Sequence, residues 1–236
     1  MSDTAPIIDL PTPPSRVQQV YDAIVDEICT GRLAPGTPLR QEALARQFNV
    51  SRHPIQQALL LLKNQGLLRE FGRRGLEVTP LDVDLVTNLY ELRALIDGYA
   101  ARACAERGLS ADAIEQARRL VHNGHQAHRD RAFAQMITAD VEFHRFLVDE
   151  SGNPLLAESA TVIWRNVERV MGEVLLQGGA PPWVWEEHAA IFEAVEAGDG
   201  PLAEKLAHQH AEHGKCLILD GLHSIAAEDP PDSRKH

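Results

Sequence analysis

The sequence predicts a mainly α protein in two parts: a small N-terminal part of short helices with one β-hairpin, then a C-terminal all-α antiparallel helical bundle. Three observations carry this. Apolar residues recur at helical spacing along most of the chain, the charge changes sign near residue 80, and glycine–proline breaks cut the second part into six helical stretches.

Composition sets the frame. The chain has 236 residues, is 44% hydrophobic and 5% aromatic, and carries a formal net charge of -11, the profile of a globular protein. That length buries enough apolar surface without disulfides. Cys29, Cys104 and Cys216 are far apart and form no CxxC pair, which suits a reducing compartment. No apolar run approaches the roughly 18 to 20 residues of a membrane span, and Met1-Ser2-Asp3-Thr4 lacks a basic n-region. A cytoplasmic protein with no membrane partner is expected. Taken whole, the acidic balance argues against a polyanionic partner. Locally it does not: Gly31 to Gly75 holds eight basic residues against two acidic, a net of +6, while residues 81–236 hold 14 against 26, a net of −12.

Residues 1–14, with Pro11, Pro13 and Pro14, read as a disordered arm. Ser15 can cap a helix in which Val17, Val20, Ile24 and Ile28 share a face, and Gly31 stops it. The turn Ala34-Pro35-Gly36-Thr37-Pro38 follows. A second helix over about Gln41–Phe48 breaks at Asn49-Val50-Ser51, and Ser51 is placed to cap a third that ends at Asn64 before Gly66. Two helices joined by a three-residue turn make a helix-turn-helix. Leu67–Glu70 and Leu76–Thr79 read as strands around Phe71-Gly72-Arg73-Arg74-Gly75, a basic hairpin tip that would be the wing of a winged helix-turn-helix over residues 15–79. A recognition helix points its first turns at base edges, so Arg52, His53, Gln56 and Gln57 are the candidate readers of a double-stranded DNA operator. Arg40, Arg73 and Arg74 are placed for phosphates or the minor groove.

Pro80-Leu81 is the expected linker to a helical part over 82–227, with a disordered tail at 228–236. Helices are expected at about 82–107, 110–128, 132–150, 154–178, 184–197 and 200–223. Leu85, Leu89, Leu92, Ile96, Tyr99 and Ala103 trace an apolar stripe on the first; Ser110 caps the second; Gly152-Asn153-Pro154 and Gly198-Asp199-Gly200-Pro201 break the later ones. Trp164, Trp183 and Trp185 read as packing residues ahead of cavity-lining ones.

Three of these helices carry ionisable residues on apolar faces. Asp140 and His144 lie with Ile137 and Leu147, His188 with Ile191, Phe192 and Val195, and His210 with Leu202, Leu206 and Leu217. Buried polar groups need partners. Any one of these histidines alone reads as a core residue. Three imidazoles and a carboxylate converging in a bundle suit Zn²⁺ first, with Ni²⁺ or Mn²⁺ as alternatives. His122, His125, His128, His208 and His213 fall on polar faces and read as solvated.

The residues also carry a resemblance. Gly31-Arg32-Leu33-Ala34-Pro35-Gly36, Leu39, Glu42, Leu44-Ala45, Val50-Ser51-Arg52-His53-Pro54-Ile55, Ala58-Leu59, Leu62 and Gly66-Leu67 resemble the DNA-binding domain of GntR-family bacterial regulators. Gln56-Gln57 stand where that family usually has Arg-Glu, and His53 where it has Thr, so base reading there is expected to differ from the familiar half-site. Glu91-Leu92-Arg93, Asp140-Val141-Glu142-Phe143-His144, Glu187-His188, Gly198-Asp199 and His210 resemble the FCD ligand-binding domain of one GntR subfamily. That resemblance implies a divalent ion held by Asp140, His144, His188 and His210, and a role for Arg93 in binding an effector carboxylate.

The function expected is a ligand-responsive homodimeric transcriptional regulator, a repressor, whose operator affinity responds to a small carboxylate at the metal. Two alternatives remain at this point: a metal-dependent hydrolase, and a regulator for which the ion itself is the signal. Against the hydrolase, Glu142 and Glu187, the acidic residues next to the ligands in sequence, are expected on other faces, so no general base is in view.

Overall fold

A computed structural model describes residues 15–72 and 75–228. The expected arm and the end of the tail, with Arg73 and Arg74, lie outside the described residues. The chain divides into two compact units, one of Met1–Ile28 and Gly36–Thr79, the other of Cys29–Pro35 and Pro80–His236.

In the first unit α1 (Arg16–Cys29) buries Val20, Tyr21, Ile24 and Ile28, and Ser15 Oγ caps it by accepting from Gln18 N at 3.2 Å. α2 (Gln41–Gln47) and α3 (Arg52–Asn64) are joined through Asn49, whose φ of 51° is a left-handed conformation that asparagine tolerates. Ser51 occupies the N-cap of α3 with extended backbone, but its hydroxyl makes no bond to the helix, contrary to expectation. Gly66, at φ +76°, ends α3, and Leu67 N returns to Leu62 O at 3.0 Å.

The hairpin pairs β2 (Leu68–Phe71) with β3 (Gly75–Val78), each shifted by one residue from the expected strands. A third strand, β1 (Pro38–Leu39), was not expected, Pro38 having been read as the end of the turn. It pairs with the other edge of β3, giving the order β1-β3-β2, because Leu39 N–H and C=O sit opposite Leu76.

The second unit is α4 (Val83–Arg107), α5 (Ala111–Arg129), α6 (Phe133–Glu150), α7 (Pro154–Gly178), α8 (Trp183–Glu196) and α9 (Gly200–Glu228). Asp82, Ser110 and Asn153 cap α4, α5 and α7 through their side chains. The last helix runs five residues past the expected end, to Glu228. α4 and α9 pack along most of their length, and α5 on α6, α6 on α7 and α8 on α9 complete the unit. Their directions are antiparallel: Gly200 faces Glu106, Gly98 faces Glu204 and His208, and Gly214 faces Tyr90.

The apolar stripe expected on α4 is corrected. Leu89 and Ile96 are buried, but Leu92 and Tyr99 are 43% and 49% exposed, as is Leu95, outside that stripe, at 65%. The inward face instead runs through Val86, Tyr90, Arg93, Asp97, Ala101 and Cys104. Two opposite charges that neutralise each other occupy positions that a hydrophobicity pattern assigns to solvent. On α9, Leu202 is likewise exposed at 42%, and Ala203, Ala207, His210, Ala211 and Ile218 face the core.

Candidate metal centre and nucleic-acid face

On the first unit, α3 turns Pro54, Ile55, Ala58, Leu59 and Leu62 inward, which leaves Arg52, His53, Gln56 and Gln57 exposed on the opposite side. Arg40, Arg52 and Gln56 line one concave surface of about 700 Å³ together with Arg46, a residue that sequence reasoning had counted only as charge. Arg52 Nη2 is 2.8 Å from Glu42 Oε1, with both side chains exposed. Gln57 lines an adjoining concavity with Lys63 and Leu60. Such a surface presents cations and amides to a polyanion, the combination that phosphate contact and base reading need.

Inside the second unit, α6 supplies Asp140 and His144, α8 His188 and α9 His210, and all four are buried. One ligand atom from each lies within 4.8 Å of the others. The packing around them is aromatic: Trp164 stacks on His144 at 4.8 Å between centroids, Trp185 stacks on His188 at 4.4 Å, and Phe143 meets His188 edge-on at 4.9 Å. Trp164 and Trp185 are therefore packing residues, whereas Trp183 lines a cavity.

Hydrogen bonding decides which nitrogens face one another. A guanidinium only donates, so His144 Nε2, 2.9 Å from Arg93 Nη2, accepts. A carbonyl only accepts, so His188 Nδ1, 2.7 Å from Val184 O, donates. His144 Nε2 and His188 Nε2 nevertheless stand 3.1 Å apart, with Asp140 Oδ1 3.2 Å from His188 Nε2. His188 Nε2 and Asp140 Oδ1 bring electron pairs to one point beside His144 Nε2, whose own pair meets Arg93, and a cation placed there would satisfy them. Two nitrogens bonded to one zinc ion at about 2.0–2.1 Å lie roughly 3 Å apart, so the spacing fits. Asp140 Oδ2, also buried, has no hydrogen-bond partner. Neutral imidazoles with an under-used carboxylate are the donor set of a divalent transition ion.

Two further residues meet the cluster: Asp97, which the sequence did not single out, and Glu187, which it placed on another face. Asp97 on α4 is 1% exposed, bonded to Arg93 Nε at 3.1 Å. Its Oδ2 is also 3.1 Å from His144 Nδ1, off the line of the ring N–H, so the contact is electrostatic rather than a straight hydrogen bond. Glu187, expected on another face, reaches across to α9, accepting from His210 Nδ1 at 2.9 Å and His213 Nδ1 at 2.6 Å. A Glu directly preceding a ligand in sequence is the signal that could have found it. Glu142 is exposed, as expected.

Arg93 sits at the centre of these charges, 2% exposed, 3.6 Å from Asp140 Oδ2 and stacked over Trp164 at 4.6 Å. Burial opposes its charge, but Asp140, Tyr90 and Asp97 outweigh that and hold its pKa above the ordinary value. The carboxyls answer in kind. Burial pushes Asp97 and Asp140 up, yet His144 and Arg93 hold Asp97 low, and His188, Arg93 and His144 hold Asp140 far lower. Burial, helped by His188, drives His210 down to about 3. Beside the cluster a cavity of about 30 Å³ is lined by Tyr90, Arg93, Asp140, Trp183 and His210 among others. His122, His208 and His213 are exposed, and His125 and His128 are partly so.

Residues 16–78 match the gntR family of bacterial regulatory proteins, and residues 88–213, more than half the chain, match the FCD domain. The chain belongs to the GntR family. It is an FCD-bearing GntR regulator, similar to the HTH-type transcriptional repressor RspR of Escherichia coli K12, with 27% identity over 219 residues that cover 93% of each chain. The galactonate operon transcriptional repressor of the same strain is 27% identical over 82% of this chain and 92% of its own. The solved structure titled E. coli McbR/YncC superposes with a TM-score of 0.75 at 19% identity, over 88% of this chain and 99% of its own, a likeness of fold. These relatives are regulators of transcription, so the GntR chain is a regulator rather than the hydrolase weighed from sequence. Among the described residues no helix is long and apolar enough to cross a membrane.

Proposed function

We propose that this GntR regulator is a homodimeric repressor that binds its operator through residues 15–79, and that residues 82–227 carry a divalent ion and a small carboxylate effector. The observation that carries the metal reading is the convergence of four buried ionisable residues, Asp140, His144, His188 and His210, with one ligand atom of each within 4.8 Å of the others. Asp140, His144, His188 and His210 would hold the ion, zinc first and nickel or manganese next, and the bound ion would supply a fixed positive charge with open positions for a carboxylate.

Arg93 links the two ligands. His144 Nε2 has one lone pair, and Arg93 uses it. Arg93 must give up that nitrogen before His144 can ligate, which leaves Nη2 free to meet a carboxylate in the cavity it already lines. That cavity now has room for only one or two waters, so an effector also requires Arg93 or Trp183 to move. A ligand shifts an equilibrium only by its differential affinity for two states, and such a movement is one way to make the states differ.

On the DNA side, Arg40, Arg52, His53, Gln56 and Gln57 are the proposed contacts, with Arg46 added by the concave surface it shares with Arg40, Arg52 and Gln56. Arg52 would exchange Glu42 for a base or phosphate. The test is a mobility-shift titration with the operator selected from random-sequence DNA. Arg52→Ala is expected to lose specific binding while circular dichroism stays that of wild type, and a chelator is expected to change wild-type affinity. Wild-type affinity in Arg52→Ala would overturn the DNA assignment; indifference to chelator would overturn the coupling to metal.

A further inference from the structure

Each of the three imidazoles of the cluster has an oxygen behind it at Nδ1: His188 and His210 are hydrogen-bonded there, and His144 faces a carboxylate without a straight hydrogen bond. His188 Nδ1 donates to Val184 O, one turn back on its own helix, at 2.7 Å. His210 Nδ1 donates to Glu187 Oε2 at 2.9 Å, and His144 Nδ1 faces Asp97 Oδ2 at 3.1 Å. A backbone carbonyl one turn back is available on any helix. Two carboxylates reaching in from two other helix positions are not, and burying Asp97 to 1% exposure is costly unless its charge is used. The acceptor behind an imidazole fixes which nitrogen keeps the proton, fixes the ring plane and raises the basicity of the other nitrogen.

We infer that Asp97 and Glu187 are positioning residues of the metal centre, Glu187 by accepting from His210 Nδ1–H and Asp97 by setting its charge beside His144 Nδ1, so that each ring keeps Nε2 for the ion once Arg93 releases His144. This rests on the metal reading above. It assigns the cluster an outer layer drawn from α4 and α8, beyond the four ligands themselves. It also gives Asp97 two duties, because the oxygen that faces His144 also accepts from Arg93 Nε at 3.1 Å. Glu187 could instead be a clasp between α8 and α9. A clasp would draw equally on its two contacts, His210 and His213, and would not depend on an acceptor at one particular nitrogen.

The experiment is a zinc competition titration against a chromophoric chelator on the full-length protein, with circular dichroism as the check on folding. Glu187→Ala is expected to weaken zinc by roughly 10- to 100-fold, the usual cost of losing an outer partner of a metal-bound histidine. Glu187→Gln keeps an oxygen to accept from Nδ1–H and is expected to recover most of that loss. His213→Ala, which removes the other contact of Glu187, is expected to leave zinc affinity unchanged. Asp97→Asn, keeping an acceptor without the charge, is expected to weaken zinc as well. If that variant does not fold, the three substitutions around the partly exposed Glu187 decide the matter. Equal losses in Glu187→Ala, Glu187→Gln and His213→Ala would make Glu187 a clasp and overturn the inference, as would a Glu187→Ala protein with wild-type affinity. Wild type that binds no more zinc than His188→Ala would overturn the metal reading itself, and this inference with it.

Discussion

Removing the charge of Arg93 is the sharpest test of how the helical unit is held together. The guanidinium is 3% exposed at its side chain and lies between two carboxylates, Asp97 at 3.1 Å and Asp140 at 3.6 Å, with side-chain exposures of 1% and 5%. Arg93→Met keeps an unbranched apolar side chain but removes the guanidinium that lies over Trp164 and Tyr90 and leaves both carboxylates without a cation. Deleting one partner of a buried ion pair costs about 3–5 kcal/mol. With a urea dependence of about 1–3 kcal/mol per molar, that cost lowers the midpoint by roughly 1–5 M. Trp164, Trp183 and Trp185 are the three tryptophans of the chain and all belong to the helical unit, so their emission reads that unit alone. Zinc is expected to restore part of the loss, because it returns a positive charge to Asp140. A variant within about 0.5 kcal/mol of wild type, the range of ordinary surface substitutions, would refute the claim that this pair is buried and uncompensated without Arg93.

Acidification should weaken the same unit. Histidines of the unfolded chain take up protons below about pH 6.5, while burial keeps His210 from doing so until about 3 and holds His144 below its ordinary value. The unfolded state then binds more protons, so stability falls as pH drops through that window, and the lowered Asp97 and Asp140 add a further loss below about pH 4. Urea midpoints by tryptophan emission should fall steadily from about pH 7.5 to about pH 5, and a flat or rising series would contradict this. Gly124→Ala is a probe of the aromatic wall: a Cβ there would stand 2.0 Å from the ring of Trp185, which stacks on His188. Overpacking of this kind costs about 1–3 kcal/mol, so the variant should unfold at lower urea and bind zinc more weakly, and unchanged values for both would count against the packing described.

Much of the fold is legible because its signals are local. Ser15 and Ser110 cap where caps were expected, Asn153 lies in an expected break, and a helix lies at each of the six expected stretches of the second unit with ends within a few residues, α9 excepted. The four residues of the cluster were legible too, because an Asp and three His on otherwise apolar faces are anomalies that demand partners. What stayed hidden was of another kind. Asp97 looks like any helix-surface carboxylate until α6 brings His144 to it, and Glu187 looks solvent-facing until α9 brings His210 within its reach.

By itself, then, the sequence determined the two-part organisation, the helix-turn-helix with its hairpin, the helical breaks of the second unit and the set of four buried ionisable residues. Caps, left-handed glycines and periodicities of 3.6 and 2 are properties of neighbours along the chain. Only the tertiary structure decided that β1 closes the edge of the sheet, that α4 turns Arg93 and Asp97 inward while Leu92, Leu95 and Tyr99 face out, and that Arg93 and two carboxylates surround the cluster. The reason is electrostatic. A charge is tolerated in a core only when an opposite charge from another element meets it there, and no hydrophobicity pattern records which elements will meet.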